Sequence, residues 1–420
     1  WPVANRAIEL YLQKKSENEG WERQINGLSN NEKANLLLEK HTFKELLADV
    51  EQRNLQNNIV GLEASRLFAR SEINMGVDAF RDSLYAMLKR NTFLNIKFEN
   101  MLDTLGEMSR TDLYSYLKEW EQLTPLPFYS IGEPELTKVV NKGGEEFFVL
   151  KVLVSNNSDY DGIIQMNVLQ NGWWYQPMED PRARKKVEIA AHTSKEFVSV
   201  WEEQIRDVEI NTMVSGNLPY MIRQSIGNVK QERNKIVKDT IYTLPESSLE
   251  MPGEVIVDNE DSTLFVLSTP AVVGLLPKWL DKVEDTSFKY SGISWWRAPL
   301  QWTATTNAKY YGKYIRSAYV IKSGDGSQTA TWKIPVPEAG QYELYYHVFK
   351  DDELRWNDRL QGEYHFRVAY DSEMEDAYIN LRKANEGWEQ LGTYYFSADT
   401  VRVVLTDECK LRSVTADAVK

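Results

Sequence analysis

Three carboxylates lie close together in the segment VIVDNEDS, directly after a predicted strand. They are Asp258, Glu260 and Asp261. Oxygen ligands at this spacing could hold Ca²⁺, and a solvated acidic turn is the alternative. The chain carries 62 acidic residues, so neighbouring carboxylates also arise by chance. No paired-carboxylate glycosidase site is therefore inferred.

The histidines give no metal or catalytic motif. They are His41, His192, His347 and His365, and none belongs to a His-Glu-x-x-His zinc sequence. His347 and His365 lie in adjacent predicted strands and could meet, although ordinary hydrogen-bonded histidines explain them as well. Gly-x-Ser-x-Gly and phosphate-binding glycine loops are absent, and Gly324-Asp325-Gly326 is predicted to be a hairpin turn. We assign no catalytic residue and no cofactor, with zinc expected only if an upstream domain exists.

Aromatic residues are the remaining candidates. The run WWRAPLQWTATTNAKYYG (295–312) contains Trp295, Trp296 and Trp302. Such rings can stack on sugars or pack inside a β-sandwich, and we expect at least two of the three to pack. In QYELYYHVF (341–349) both faces are apolar or aromatic. One face must pack in the core, and the other, with Tyr345, His347 and Phe349, needs a covering segment or a ligand.

Composition narrows the classes of protein. The formal net charge is −13 and the pI about 5.1, which argues against binding to nucleic acid. The single cysteine, Cys409, excludes an internal disulfide. No apolar run reaches the ~20 residues of a transmembrane helix. No signal peptide opens the chain, and because Trp1 is not a natural start, a targeting segment or an upstream domain could have been lost.

The hydrophobic period defines the elements that must position these residues. Apolar residues recur every three or four positions up to about residue 124, which predicts a helical bundle. From about residue 126 the period is two, as in Phe148, Leu150, Val152 and Val154, which predicts β-strands. The predicted domains are a helical bundle (1–124), an immunoglobulin-like β-sandwich (126–235), a linker (236–251) and a jelly-roll-like β-sandwich (252–420). The fold class is thus multidomain, α then β.

The third domain resembles a known family. The segments IVDNEDS, TTNAKYYG, GDGSQTATWKIPVPEAGQYELYYHVF, YHFRVAYDS, GWEQLGTYYFS, VRVVLTDE and SVTADAVK follow one another in the order of the carbohydrate-binding-like domain at the C-terminus of golvesin and of bacterial xanthan lyases. The resemblance covers about 255–420 and implies a jelly-roll-like sandwich that attaches to polysaccharide or cell envelope outside the cytoplasm. Positions that fit the family pattern, mostly as framework, are Asp258, Asn259, Tyr311, Gly312, Trp332, Gly340, Tyr342, Tyr345, Trp388, Leu391, Gly392, Ala416 and Asp417. An insertion at 262–293, with a predicted helix at 273–283, departs from the pattern.

Residues 55–235 are similar to another family. The run from GLEASRLFAR to LTPLPFYSI resembles the helical part of gluzincin aminopeptidases, in which an immunoglobulin-like domain follows. Neither the zinc-binding helix nor its third glutamate ligand is found, so no catalytic residue is carried over. The resemblance implies the C-terminal piece of a peptidase or a descendant that cannot bind zinc.

Three hypotheses of function follow. The preferred one is a non-catalytic accessory region of a bacterial secreted, periplasmic or cell-surface protein that binds a glycan or envelope component. The second is the C-terminal half of a zinc aminopeptidase-like enzyme whose zinc motif lies upstream. The third is a protein-interaction scaffold.

Overall fold

The computed structural model describes most of the chain. It covers residues 2–12, 19–92, 97–123, 125–170, 180–234, 237–247, 249, 253–268, 288–293, 298–350 and 362–420. The chain divides into two compact units. The first unit comprises Trp1–Glu17 and Asn30–Leu249, and the second comprises Asn18–Ser29 and Glu250–Lys420. The predicted order, helices first and β-sandwiches after them, is confirmed.

The helices that the structure describes lie in the first part of the chain. They are α1 (Pro2–Leu12), α2 (Glu19–Asn26), α3 (Asn30–Leu38), α4 (Phe43–Ala48), α5 (Gln56–Met75), α6 (Val77–Arg90), α7 (Phe98–Ser109) and α8 (Leu113–Lys118). The long α5 packs against α1, α3, α6 and α7. It does so because Ile59, Leu62 and Leu67 recur on one side of the helix and are buried, as the spacing predicts.

The first unit also contains two antiparallel-rich sheets. Their strands are β1 (Tyr129–Ile131), β2 (Glu135–Val140), β3 (Glu146–Asn156), β4 (Gly162–Gln170), β5 (Arg184–Ile189), β6 (Thr193–Trp201), β7 (Ile205–Asn211), β8 (Met221–Ser225), β9 (Val229–Arg233) and β10 (Thr240–Pro245). One sheet has the order β10-β6-β3-β2-β9, with β1 paired to β3, and the other has the order β5-β4-β7-β8. Leu150 and Val152 from one sheet share a core with Ile164 and Met166 from the other, which makes the pair a β-sandwich.

A buried ion pair joins the helices to this sandwich. Lys186 on β5 binds the carboxylate of Glu72 on α5, and the two side chains are only 10% and 1% exposed. Tyr11 on α1 donates to the other oxygen of Glu72 at 2.6 Å. The bundle and the sandwich therefore share charged groups that neither could bury alone.

Ten further strands lie in the described residues of the second unit. They are β11 (Phe265–Leu267), β12 (Thr303–Thr306), β13 (Ser317–Lys322), β14 (Thr329–Pro335), β15 (Gly340–Val348), β16 (Glu363–Tyr370), β17 (Glu373–Asn380), β18 (Gly387–Phe396), β19 (Thr400–Thr406) and β20 (Ser413–Ala416). Their sheets have the orders β11-β14-β19-β16-β17, β12-β13-β20 and β15-β18. Trp332, Phe366 and Val403 of the five-stranded sheet share one core with Tyr346 and Phe396 of the β15-β18 pair.

A short piece of the helical region belongs to the second unit. Thr306 Oγ1 donates to the carbonyl of Gly27 at 2.9 Å, and Leu28 is fully buried. A Cβ on Gly27 would lie 2.3 Å from the carbonyl carbon of Ser291, and one on Gly292 would lie 2.0 Å from the carbonyl oxygen of Ile25. Two glycines thus allow backbone to touch backbone here.

One local prediction is wrong, and one open alternative is excluded, because strand pairing differs from strand order. Gly324-Asp325-Gly326 is not a hairpin turn, since β13 pairs with β12 and β20 while β14 pairs with β11 and β19. His347 and His365 do not meet, since β15 pairs with β18 while β16 pairs with β17 and β19. The predicted helix at 273–283 lies outside the described residues.

A candidate carbohydrate-binding face

The outer side of β15 carries three of the candidate residues. Leu344, Tyr346 and Val348 point into the core and are buried, so Tyr345, His347 and Phe349 point the other way. All three are half-buried. The alternation along this strand therefore places them on one face, as predicted.

The C-terminal residues extend this face. Tyr345 N donates to the carbonyl of Lys420 at 2.8 Å, Lys420 N donates back to Tyr345 O at 2.9 Å, and His347 N donates to Ala418 O. The chain end is thereby paired with β15 like a further strand. This pairing places the side chain of Lys420 directly beside Tyr345.

Lys420 joins two aromatic rings. Its Nζ lies 5.3 Å from the ring centroid of Tyr345 and 5.2 Å from that of Trp388. Glu254 accepts from the same Nζ at 2.8 Å, which holds the ammonium in place. A cation at this distance from two rings is attracted by their electron-rich faces. Tyr345, Trp388 and Lys420 are called the aromatic–lysine face below.

His347 is fixed from behind by a buried carboxylate. Its Nδ1 lies 2.9 Å from Asp417 Oδ2, and the backbone N of Tyr311 donates to both oxygens of Asp417 at 3.1 and 3.2 Å. Asp417 is fully buried, and burial raises the pKa of its carboxyl while the neighbouring His347 opposes that rise. These contacts hold the His347 ring and the Tyr311 backbone against one buried carboxylate.

The segment around Tyr311 covers half of the β15 face. The Tyr311 ring lies 5.0 Å from Trp388 and 5.8 Å from His347, centroid to centroid. The Phe349 ring lies 4.6 Å from the buried ring of Tyr310. A covering segment therefore packs on His347, on Phe349 and on one side of Trp388. The candidate for a ligand is the rest of the aromatic–lysine face, around Tyr345 and Lys420.

The tryptophan run is only partly described. Trp295 and Trp296 lie outside the described residues. Trp302 is half-buried and packs against the core of the second unit. Its Nε1 is buried and has no hydrogen-bond partner among the described residues.

The three acidic candidates for calcium point to different partners. Glu260 binds Lys289 at 2.6 Å and accepts from Tyr290 at 3.1 Å and from Ser317. Asp261 accepts from the backbone N of Thr263 at 3.0 Å, and Thr263 holds the pKa of this carboxyl below its usual range. Across the described segments of the chain, no three ligand side chains converge as a metal site would require.

Asp258 has a different environment from these two. Burial raises the pKa of its carboxyl well above the usual range, and the negative charges of Asp417 and Glu260 raise the pKa further. The amide Nδ2 of the neighbouring Asn259 donates to Ser317 Oγ at 2.7 Å, and that hydroxyl donates in turn to Glu260. Asp258 and Asp417 are therefore two carboxyl groups whose charged forms are disfavoured by burial.

Sequence reasoning did not single out Lys420 or Asp417 as parts of the site. Asp417 and Trp388 were among the positions that fit the family pattern, and this fit was the sequence feature that pointed to them. No local signal exists for Lys420, since its place depends on a pairing between residues 75 positions apart.

The second unit is a β-sandwich, and the family match of its residues indicates a non-catalytic accessory or binding region. Residues 296–420 match the family model of the Golvesin C-terminal domain, as the resemblance predicted. The match covers less than a third of the chain. The family is associated with extracytoplasmic proteins, and no helix in the described residues is long and apolar enough to cross a membrane.

Comparison with other proteins adds little. No curated protein matches the sequence. Among solved structures, the chain is similar to Bacteroides uniformis β-glucuronidase 2 covalently bound to cyclophellitol-6-carboxylate aziridine, with 11% identity, a TM-score of 0.20, and coverage of 73% of this chain and 31% of that one. It also matches a structure of Sulfolobus turreted icosahedral virus, with 10% identity, a TM-score of 0.15 and coverage of 71% and 93%. The chain spans about a third of the β-glucuronidase chains it matches.

Proposed function

We propose that the second unit binds a glycan through the aromatic–lysine face and acts as the attachment region of an extracytoplasmic protein. One observation carries this proposal: Lys420, Tyr345 and Trp388 form one half-buried group on the outer side of a sheet. The ligand is a polysaccharide or another glycan of the cell envelope. The aminopeptidase-like and immunoglobulin-like parts would then link this binding unit to the active part of the parent protein.

The chemistry of the face suits a sugar. An aromatic ring offers a flat apolar surface to the C–H groups of a pyranose, while Tyr hydroxyl and Lys ammonium groups bond its hydroxyls. Pairing with Glu254 and with the two rings fixes the Lys420 ammonium before a ligand arrives. A site already held in place loses little conformational entropy on binding.

Binding of the full chain to a panel of soluble and insoluble polysaccharides tests the proposal. We expect Trp388→Ala and Tyr345→Ala each to weaken binding by about tenfold, as truncation of aromatic anchors does at other interfaces. Tyr395→Ala is the matched control, because Tyr395 lies on the same strand as Trp388 and is 65% exposed. Thermal melting of every variant confirms that it folds. Equal binding by the wild type and all three variants, or no binding across the panel, would contradict the proposal.

The metallopeptidase hypothesis keeps one favourable observation. The helices and the first sandwich form one compact unit in the order that the resemblance implies. This hypothesis predicts a His-Glu-x-x-His sequence upstream of Trp1 in the parent gene. A signal peptide immediately before Trp1 would remove it.

The scaffold hypothesis rests on the strand β10. It is an edge strand, and its Ile241, Tyr242 and Leu244 are exposed. Exposed apolar residues at a sheet edge can pair with another chain. Co-purification of a stoichiometric partner that is lost when Tyr242 is replaced by Lys is the result this hypothesis requires.

A further inference from the structure

The outer side of the five-stranded sheet of the second unit carries a group of three cations. Trp332, Phe366 and Val403 point into the core and are fully buried. Because side chains alternate along a strand, the following or preceding residues Lys333, Arg367 and Arg402 point outward. Arg402 is exposed, and Lys333 and Arg367 are half-buried. The outer side around these three cations is called the basic face.

The strand register places two cations side by side. Lys333 lies directly opposite Arg402 in the β14–β19 pair. In the part of the chain that the structure describes, no carboxylate pairs with either of them. Like charges directly opposite each other destabilise a sheet. An anion placed between two such cations would offset this repulsion.

The third cation, Arg367, has only a weak partner. Its Nε lies 3.9 Å from Asp376 Oδ1, and the Asp376 side chain is 58% exposed. An exposed pair at this distance contributes little to stability. Arg367 therefore remains available to a second anionic group.

The charge of this face contrasts with the rest of the protein. The chain as a whole has 62 acidic and 49 basic residues. Two rows of cross-strand neighbours cross the face, and together they contain three cations and one carboxylate. The rows are Lys333, Arg402, Ala369 and Met374, and Val266, Thr331, Val404, Arg367 and Asp376. The sheet thus concentrates positive charge on a surface of an acidic protein.

Exposed rings and apolar groups border these cations. Tyr378 is 57% exposed, and its ring stacks on His365 with centroids 4.9 Å apart and planes 7° apart. His365 is itself held between Asp376 at 2.7 Å and Glu408 at 3.1 Å. The Tyr378 ring is therefore a fixed platform. Met374, 65% exposed, lies beyond Ala369 in the Lys333 row.

We propose that the basic face binds an acidic polysaccharide, a polymer whose sugar rings carry carboxylates. Lys333 and Arg402 bind one carboxylate between them, Arg367 binds another, and a sugar ring lies on Tyr378. Met374 and Tyr378 are four residues apart on β17, which is about 13 Å along a strand and spans a few sugar units. Three cations beside a flat ring suit an acidic polysaccharide, whose charges are spaced along sugar rings. They suit a nucleic acid less well, because its binding needs many phosphate contacts. A membrane surface would likewise need a larger cluster of cations.

This inference takes from the proposed function only the choice of a glycan as the polymer. Its own content is a second face and the negative charge of the ligand. The aromatic–lysine face involves none of the same residues, so variants of the two faces give separate answers.

Binding of the full chain to polygalacturonate, carboxymethyl-dextran and uncharged dextran tests the proposal, at low and at high salt. We expect the wild type to bind both acidic polymers through this face, and we expect no binding of dextran there. The affinity for the acidic polymers should fall as the salt concentration rises. The double variant Lys333→Glu/Arg402→Glu should bind the acidic polymers at least about tenfold more weakly, since each reversal replaces an attraction by a repulsion. Lys142→Glu/Arg184→Glu is the control, because it makes the same change of net charge at exposed residues of the first unit.

Three results would overturn the inference. One is equal binding of dextran and its carboxymethyl form. Another is an equal effect of the two double variants, with folding of both confirmed by thermal melting. The last is tighter binding to duplex DNA or to anionic lipid vesicles than to polygalacturonate. If only Trp388→Ala loses binding, the proposed function is supported and the basic face is not. If only the charge-reversal variant loses binding, the basic face is supported and the aromatic–lysine face is not.

Discussion

His347 Nδ1 lies 2.9 Å from the carboxylate of Asp417, and Asp417 is fully buried. The same carboxylate accepts from the backbone N of Tyr311, whose ring packs on Trp388. One buried acid thereby links the C-terminal strand, β15 and the covering segment. The aromatic–lysine face depends on this link, although the carboxylate itself does not reach solvent.

Replacing Asp417 tests this link. We expect Asp417→Ala to lower the free energy of unfolding by about 3 kcal/mol, because it leaves His347 and the Tyr311 N–H without their buried acceptor. Urea unfolding measures the loss. Asp325→Ala is the control, since Asp325 is exposed and accepts from Ser327 N within its own turn. Equal losses in the two variants would contradict a special role for the buried acid.

Asp258 and Asp261 should respond to pH with opposite signs. The folded pKa of Asp258 is raised, so the folded state holds the proton longer than the unfolded state, in which the carboxyl titrates at about 3.9. Its contribution to stability therefore falls as the pH rises between the two values. Asp258→Asn removes this fall and should raise the melting temperature at pH 7.

The folded pKa of Asp261 is lowered, so its contribution is present at neutral pH and is lost as the pH falls through the folded value. Asp261→Asn should therefore lower the melting temperature at pH 7. Melting curves of both variants between pH 3 and pH 8 measure the two effects. Changes of the same sign at pH 7 would show that the two environments are not distinct.

Gly292→Ala should detach the segment 18–29 from the second unit. The added Cβ would lie 2.0 Å from the carbonyl oxygen of Ile25, so the backbone must shift, at a cost of about 1–3 kcal/mol. Faster hydrogen exchange and proteolysis within residues 25–29 measure the detachment. Gly227→Ala is the control, because its Cβ would meet nothing within 4 Å. Unchanged exchange in Gly292→Ala would rule out this contact.

Lys186→Met should destabilise the first unit by about 3 kcal/mol, because it leaves the Glu72 carboxylate buried without its cation. Adding Glu72→Gln should restore part of the stability, since the uncompensated charge is then removed. Chemical unfolding of the single and double variants measures the coupling. Lys230→Met provides the comparison, because its pair with Glu135 is exposed and should contribute less than 1 kcal/mol. A double variant less stable than Lys186→Met would contradict this account.

The sequence by itself determined the elements and their core faces. Leu344, Tyr346 and Val348 alternate with polar or aromatic residues, and burial follows that alternation because neighbouring side chains of a strand point to opposite sides. The same reasoning placed Ile59, Leu62 and Leu67 on the buried side of a helix. The order of family segments added the relationship of 296–420 to the Golvesin C-terminal domain.

Only the tertiary structure decided which strands meet and hence which side chains form sites. His347 and His365 are in successive strands of the chain but in different sheets, whereas Tyr345 pairs with Lys420 at the chain end. Asp258, Glu260 and Asp261 are neighbours in sequence and face different partners. The physical reason is that the hydrophobic period shows which side of a single strand is buried. Which strands pair depends on hydrogen bonds and packing between residues far apart in the chain.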